Sequence, residues 1–196
     1  NKKNLDELLY RHWYVSYCTK HAIEFSDTNN YNFVECGTAN GVTAYFSLKE
    51  ITNNLKNSQF SMHLYDAWDA MQEKGLLDTE IGHVGNYSKL DINITKKNLK
   101  EFENNLTFHV GYIPESLIPE KSPESISYMH IDLNSATPTL KALEFFHPKL
   151  VKGGVILFDD YGQEEYIETK NVIDKFFSDK PGLLLKFPTS QAVYFR

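Results

Sequence analysis

The sequence predicts an α/β fold: a seven-stranded, mostly parallel sheet with an antiparallel last strand and helices on both faces. Two observations lead to this prediction. Short apolar runs, several of which end in a carboxylate, alternate with longer helical patterns along most of the chain. Two further apolar runs close the chain, and the turn between them predicts a hairpin. No repeat or internal linker interrupts the pattern, so we expect one domain over residues 1–196, with a helical segment at 1–30 and the sheet within 31–196.

The helices and strands can be assigned in order along the chain. Apolar residues recur at intervals of three and four over residues 5–25, which is typical of an amphipathic helix packed against a sheet. Thr95 is the expected cap of a later helix, Pro138 opens another in its first turn, and Gly153 with Gly154 is expected to form a turn before the fifth strand. The predicted strands lie at 31–35, 59–66, 106–111, 126–132, 155–160, 183–187 and 191–195, and the remaining helices at 43–55, 95–104, 138–146 and 164–178.

Composition excludes several classes of protein. Hydrophobic residues make up 41% and charged residues 23% of the 196 positions, which is typical of a globular chain. The net charge of -6 argues against a nucleic-acid partner, and no apolar run approaches the ~20 residues of a membrane span. Cys18 and Cys36 have no metal-ligand spacing, and we expect a reducing, cytoplasmic location. The sequence leaves open whether the chain forms a homo-oligomer.

The loop after the first strand is the first candidate binding site. Glu35 is followed by Gly37, Thr38 and Gly41 in the spacing E-x-G-x-x-x-G. Glycine permits a sharp turn and close approach of the backbone to a ligand, and the first amides of the next helix point into the turn. The spacing excludes both the G-x-G-x-x-G dinucleotide fingerprint and the phosphate-binding G-x-x-x-x-G-K-[ST] loop. It resembles the first motif of the class I methyltransferases, which bind S-adenosylmethionine; an ordinary strand–loop–helix junction is the alternative.

A second candidate is the acid that ends the second strand. Asp66 stands where nucleotide-binding folds hold ribose, since a carboxylate accepts two hydrogen bonds from a vicinal diol. A helix-capping acid is the alternative. The polar segment 73–94 that follows is expected to cross the carboxyl edge of the sheet, where His83 and Tyr87 could reach a ligand.

Three further acids stand at the ends of two later strands. Asp132 closes the fourth strand, and Asp159 and Asp160 close the fifth. Converging carboxylates repel one another, and no lysine or arginine lies beside them in the sequence. Oxygen ligands favour a hard divalent ion such as Mg²⁺, to which Asn134 could add an amide oxygen. Alternatively, Asp159 and Asp160 cap the next helix and Asp132 is merely exposed.

Two longer segments carry a specific resemblance. Residues 127–143, with Met-His-Ile-Asp, and 146–162, with Gly-Gly before Asp-Asp-Tyr-Gly, resemble consecutive segments of the macrocin O-methyltransferase family. The glycine motif and Tyr65–Trp68 fit as well, so the resemblance runs from about residue 31 to the end. Asn134 stands where the family has a second acid, and Ala136 where it has a tyrosine.

The resemblance implies a Rossmann-like class I methyltransferase that methylates a hydroxyl, often of a sugar, with S-adenosylmethionine as donor and Mg²⁺ as assisting ion. Asp132 and Asp159 are the implied catalytic residues, and together with Asp160 they are the implied metal ligands. By the same resemblance, the residues expected to contact the donor are Glu35, Gly37, Thr38, Gly41, Asp66, Gly111, Tyr112 and Asp132.

Some roles remain open. Asp132, Asp159 and His130 are all candidates for the general base. The aromatic residues that could stack on the acceptor are Trp13, Trp68, Tyr112 and Tyr161. A noncatalytic S-adenosylmethionine-binding domain that serves as a scaffold or subunit is the alternative function, and the glycine spacing disfavours a third, an NAD-dependent dehydrogenase.

Overall fold

The computed structural model describes residues 2–55 and 59–196, with side chains from residue 9 onward. The helices are α1 (Lys2–Phe25), α2 (Val42–Asn54), α3 (Ile92–Asn98), α4 (Ala136–Phe146) and α5 (Ile167–Phe177). The strands are β1 (Tyr31–Cys36), β2 (Phe60–Asp66), β3 (Leu106–Val110), β4 (Ile126–Ile131), β5 (Leu150–Phe158), β6 (Leu183–Lys186) and β7 (Ala192–Phe195).

These strands form a seven-stranded sheet in the order β3-β2-β1-β4-β5-β7-β6. The pairs among β1 to β5 are parallel, and β7 runs antiparallel to both β5 and β6. The predicted fold class is therefore confirmed. The chain moves outward from β1 to β3 and then returns to the other side of β1 to form β4. This reversal opens a crevice at the carboxyl ends of the strands, where open α/β sheets bind ligands.

Each face of the sheet has its own apolar core. Phe33 and Tyr128 point to the face covered by α1, α2 and α3, and their neighbours Val34 and Met129 point to the face covered by α4 and α5. Because both faces are covered, the central strands β1 and β4 are buried along almost their whole length, including the polar residues Glu35 and His130. Among residues 2–55 and 59–196, no helix has the length and hydropathy that crossing a bilayer requires.

Both ends of α3 differ from the prediction. The predicted cap Thr95 lies inside α3, and the cap is Asp91, whose carboxylate accepts a hydrogen bond from the Asn93 amide at 2.8 Å. The single helix predicted at 95–104 is two elements, because α3 ends at Asn98 and a short 3₁₀ helix, Lys100–Asn105, leads into β3. The Thr95 hydroxyl instead donates a hydrogen bond to the carbonyl oxygen of Ala39 in the loop after β1.

The prediction of a turn at Gly153 and Gly154 was wrong, since both lie within β5. Gly153 has a φ of +76°, and a Cβ there would lie 1.9 Å from the carbonyl oxygen of Phe25. Glycine therefore lets the end of α1 cross the strand in direct backbone contact. This close crossing holds α1 against the half of the sheet that carries the acids.

Candidate active site

A cavity of about 350 Å³ lies at the carboxyl edge of the sheet. Its lining includes at least one predicted site residue at or just after the end of each of the first five strands: Gly37, Asp66, Gly111, Tyr112, Asp132 and Asp160. The volume is within the range of about 300–1,000 Å³ typical of small-molecule sites. The parallel topology thus gathers onto one cavity residues that are far apart in the sequence.

Gly37 is required by the contact between two loops. It has a φ of +88°, and a Cβ there would lie 1.8 Å from the carbonyl oxygen of Asp132. The Asp132 amide donates to the carbonyl of Cys36 at 2.9 Å and so joins the two segments, while the Gly37 amide donates to the carbonyl of Tyr65 in β2 at 2.8 Å and holds the glycine loop on the sheet. The sequence predicts that a ligand approaches the backbone here; in the structure, the backbone of the loop after β4 makes this close approach.

Asp66 anchors the glycine loop from the end of β2. One carboxylate oxygen accepts the Ala39 amide at 2.8 Å, and the other accepts the Trp68 amide at 2.6 Å. Burial raises the pKa of Asp66, while these backbone donors oppose the rise. A carboxylate has about four lone-pair positions, so Asp66 keeps capacity for hydroxyl donors on the cavity side.

Trp68 and Thr95 support the same loop. The Trp68 indole and the Thr95 hydroxyl both donate to the carbonyl oxygen of Ala39, at 2.9 and 2.6 Å. Trp68 is buried and therefore offers no ring face for an acceptor. Of the other three aromatic candidates, Tyr112 lines the cavity, Tyr161 is buried, and Trp13 is 58% exposed on α1.

Glu35 lies in the interior, where it is 1% exposed. One of its carboxylate oxygens accepts the Thr43 hydroxyl at 2.5 Å and lies 3.0 Å from Nδ1 of His130. Neither Glu35 nor His130 is among the described residues that line the cavity, and neither are Thr38 and Gly41. Thr38 and Gly41 belong to the loop itself, Glu35 and His130 lie in the strands behind it, and His130 is not placed to act as a general base.

The three aspartates at the ends of β4 and β5 do converge. Asp132, Asp159 and Asp160 each offer a carboxylate oxygen within 4.8 Å of the others. Asp159 and Asp160 are buried, and Asp132 is partly exposed to the cavity. Burial and the charge of Asp132 raise the pKa of Asp160 well above its usual value. The predicted cluster is thus present, and because it is largely buried, a cation that offsets its negative charge would stabilise it.

Asn134 binds the cluster differently from the prediction. Its backbone amide and its side-chain nitrogen donate to the two carboxylate oxygens of Asp160, at 2.8 and 3.0 Å. The residue adopts a left-handed backbone conformation, with a φ of +54°, that permits both bonds. Asn134 therefore acts as a donor to Asp160 in this structure, and its amide nitrogen, not its oxygen, faces the acid.

The fold also brings a cation to the acids, although no basic residue adjoins them in the sequence. The Arg11 guanidinium, from α1, donates to Asp159, and its other terminal nitrogen lies 3.8 Å from Asp132. The sequence reasoning missed Arg11. Nothing local marks it, since 148 residues separate it from Asp159 and only the packing of α1 brings the two together.

The segment between β2 and α3 covers part of the cavity, as predicted. Within it, Glu80 is 2% exposed and accepts hydrogen bonds from the amides of Ala136, at 2.7 Å, and Leu77, at 3.0 Å. Glu80 thus ties the segment to the first residue of α4. Tyr87 lines the cavity, whereas His83 packs against the ring of Tyr166. Burial and the nearby aspartates raise the pKa of Tyr87 to about 12.

Comparison with known proteins finds one matching family model and several solved structures that are similar in fold. A family model described as a methyltransferase domain matches residues 34–161. The O-methyltransferase NovP superposes with a TM-score of 0.81 at 14% identity, and CalS11, a TDP-rhamnose 3'-O-methyltransferase, with 0.67 at 13%; each match covers 95% of this chain and 79% of the other. An rRNA methylase from Streptococcus thermophilus gives 0.53 at 15% identity over 90% of both chains. No curated protein matches the sequence significantly. At these identities the structural matches establish the fold.

Proposed function

This chain belongs to the methyltransferase-domain family, and we propose that it transfers the methyl group of S-adenosylmethionine to a hydroxyl of a small molecule. The observation that carries the proposal is one cavity at the ends of β1 to β5, lined in one part by Asp66, Gly111 and Tyr112 and in another by Asp132 and Asp160, with the buried Asp159 beside these two acids. NovP and CalS11 are both described as O-methyltransferases and share the fold, which supports a hydroxyl acceptor and, for CalS11, a sugar.

The donor would lie along the ends of β1, β2 and β3. Asp66 retains lone pairs that can accept ribose hydroxyls, and the loop it anchors is already held in place by Trp68 and Thr95. Gly111 and Tyr112 line the cavity after β3 and would form the adenine wall. Glu35 would act indirectly, by supporting the loop through Thr43 and His130, instead of contacting the donor.

The acceptor would lie between the acids and the covering segment, where Tyr87 and Tyr166 line the cavity. The sulfonium of the donor supplies an activated methyl group, so the protein contributes alignment and removal of a proton. Among the three candidates for the base, Asp132 lines the cavity, Asp159 is fully buried and His130 pairs with Glu35. We therefore assign proton removal from the hydroxyl to Asp132.

A divalent ion fits the donor set. Asp132, Asp159 and Asp160 present carboxylate oxygens within 4.8 Å of one another, the hard ligands that Mg²⁺ prefers. Such an ion would lower the pKa of a bound hydroxyl. Asn134 would not contribute through its amide oxygen in the orientation observed, because its nitrogen faces Asp160.

Calorimetry and a methyl-transfer assay test this proposal. S-adenosylmethionine and S-adenosylhomocysteine should bind with one site per chain, and turnover is then measured across sugars, catechols and a short RNA, the last because an rRNA methylase shares the fold. Asp132→Asn should retain donor binding and lose about 10²–10⁴-fold in turnover, the usual contribution of a general base. Asp179→Asn, which removes an exposed acid elsewhere, is the matched control.

Two results would contradict the proposal. Absence of donor binding would exclude the methyltransferase role, and full turnover by Asp132→Asn would exclude Asp132 as the base. Donor binding without turnover on any acceptor would instead favour the noncatalytic scaffold.

A further inference from the structure

Arg11 contacts the carboxylates that a divalent ion would need. It extends from α1, and its guanidinium donates to one carboxylate oxygen of Asp159 and lies 3.8 Å from an oxygen of Asp132. The other oxygen of Asp159 accepts the side-chain amide of Gln191 at 3.2 Å. Each oxygen of Asp159 thus has a donor, and the Arg11 guanidinium lies between Asp159 and Asp132, in the position that an ion shared by these two acids would take.

The two donors differ in their freedom to move. Gln191 is 5% exposed and immediately precedes β7, so packing fixes its position. The Arg11 side chain is 30% exposed, lines the cavity and ends a long flexible stem. Withdrawal of Arg11 into the cavity leaves the sheet intact, whereas withdrawal of Gln191 disturbs the start of β7, which pairs with both β5 and β6. Arg11 is thus the donor that an incoming ion would displace.

Charge leads to the same conclusion. A guanidinium and a divalent ion placed against the same pair of carboxylates would repel each other at short range in a partly buried site. Each alone relieves the mutual repulsion of the acids. Occupation by one therefore weakens binding of the other.

We propose that Arg11 is an internal competitor for the cation site, whose guanidinium occupies the Asp132–Asp159 pair until a divalent ion displaces it. The proposal rests on the metal assignment within the proposed function. It adds a positioning role for α1: the affinity for the ion is set by the ligands and also by the cost of releasing Arg11.

The test measures ion binding directly, without turnover. Mn²⁺ binding is followed by electron paramagnetic resonance and Mg²⁺ binding by calorimetry, on the full chain and on Arg11→Met, which keeps an apolar stem. Lys20→Met is the matched control, because it removes an exposed positive charge from the same helix. Arg11→Met should bind Mn²⁺ on the order of tenfold to a hundredfold more tightly, the range of one charged hydrogen bond. Arg11→Lys should lie in between, and Lys20→Met should match the parent chain.

Thermal unfolding of each variant, with chelator and with Mg²⁺, checks that the chains are folded. Arg11→Met should unfold at a lower temperature than the parent chain in chelator and recover when Mg²⁺ is added. Equal or weaker ion binding by Arg11→Met, or no ion binding by any variant, would overturn the competition. S-adenosylhomocysteine is titrated into the same samples, because intact donor binding alongside either result leaves the methyl-transfer proposal standing.

Discussion

Replacement of Gly37 by alanine tests the loop contact at the centre of the site. A Cβ at this position would meet the carbonyl oxygen of Asp132 at 1.8 Å and its carbonyl carbon at 2.6 Å. Both are backbone atoms, so no side-chain rotation can relieve the overlap. The hydrogen bond from the Asp132 amide to Cys36 resists separation of the two loops. We expect Gly37→Ala both to destabilise the fold and to displace the wall of the cavity.

The size of the effect can be separated into two parts. The left-handed backbone costs a non-glycine residue about 1–2 kcal/mol. Steric overlap in a packed region adds about 1–3 kcal/mol. Gly85 provides a matched control, because its φ of +84° is close to the +88° of Gly37 and a Cβ there would have nothing within 4 Å. Gly85→Ala should show only the backbone cost, whereas Gly37→Ala should show the backbone cost and the steric cost together.

Urea unfolding at constant temperature, followed by far-ultraviolet circular dichroism, gives the free energy of unfolding for each variant. Gly37→Ala should fall below Gly85→Ala by about 1–3 kcal/mol and should bind S-adenosylhomocysteine more weakly. Equal losses of stability in the two variants would refute the argument, since the loop contact would then contribute nothing beyond backbone strain.

Three further outcomes are expected. Glu80→Ala should free the covering segment, which limited proteolysis would detect as faster cleavage within 73–91, and cost about 1–3 kcal/mol of stability. Burial lowers the pKa of His63 and His109 from 6.5 to about 4. The free energy of unfolding should therefore be highest above pH 6.5 and fall as the pH drops toward 4, because the unfolded chain binds these protons first. In urea titrations, His109→Phe should show a smaller fall over this pH range. Asn134→Asp should replace a donor to Asp160 with a further carboxylate, lower the unfolding temperature in chelator, and recover with Mg²⁺ in differential scanning calorimetry.

The strand ends were predictable because the signal is local. An apolar run followed by an acid marks the end of a strand, and parallel strands place their carboxyl ends on one edge. Asp66, Asp132 and Asp160 line the cavity for this reason. The glycine loop was equally visible, although the contact that requires Gly37 depends on a loop 95 residues away in sequence.

Side-chain direction and long-range pairing could not be predicted. Glu35 lies in a strand that is buried on both faces, so the sequence of β1 does not alternate between polar and apolar residues. The direction of the Glu35 side chain therefore could not be predicted from that pattern. Glu80 lies in a polar segment, where a buried acid cannot be distinguished from a solvated one. Arg11 reaches Asp159 only through the packing of α1, and the helical pattern fixed the presence of that helix but not its rotation.

Hydrogen–deuterium exchange with and without S-adenosylhomocysteine locates the donor site without any substitution, because it reports on every described loop in one experiment. A donor site at the carboxyl edge predicts slower exchange in the segments after β1, β2, β3 and β4, at residues 37–41, 67–72, 111–113 and 132–136, with no change at the opposite edge around 26–30. Protection confined to the opposite edge, or no protection despite measurable binding, would contradict it.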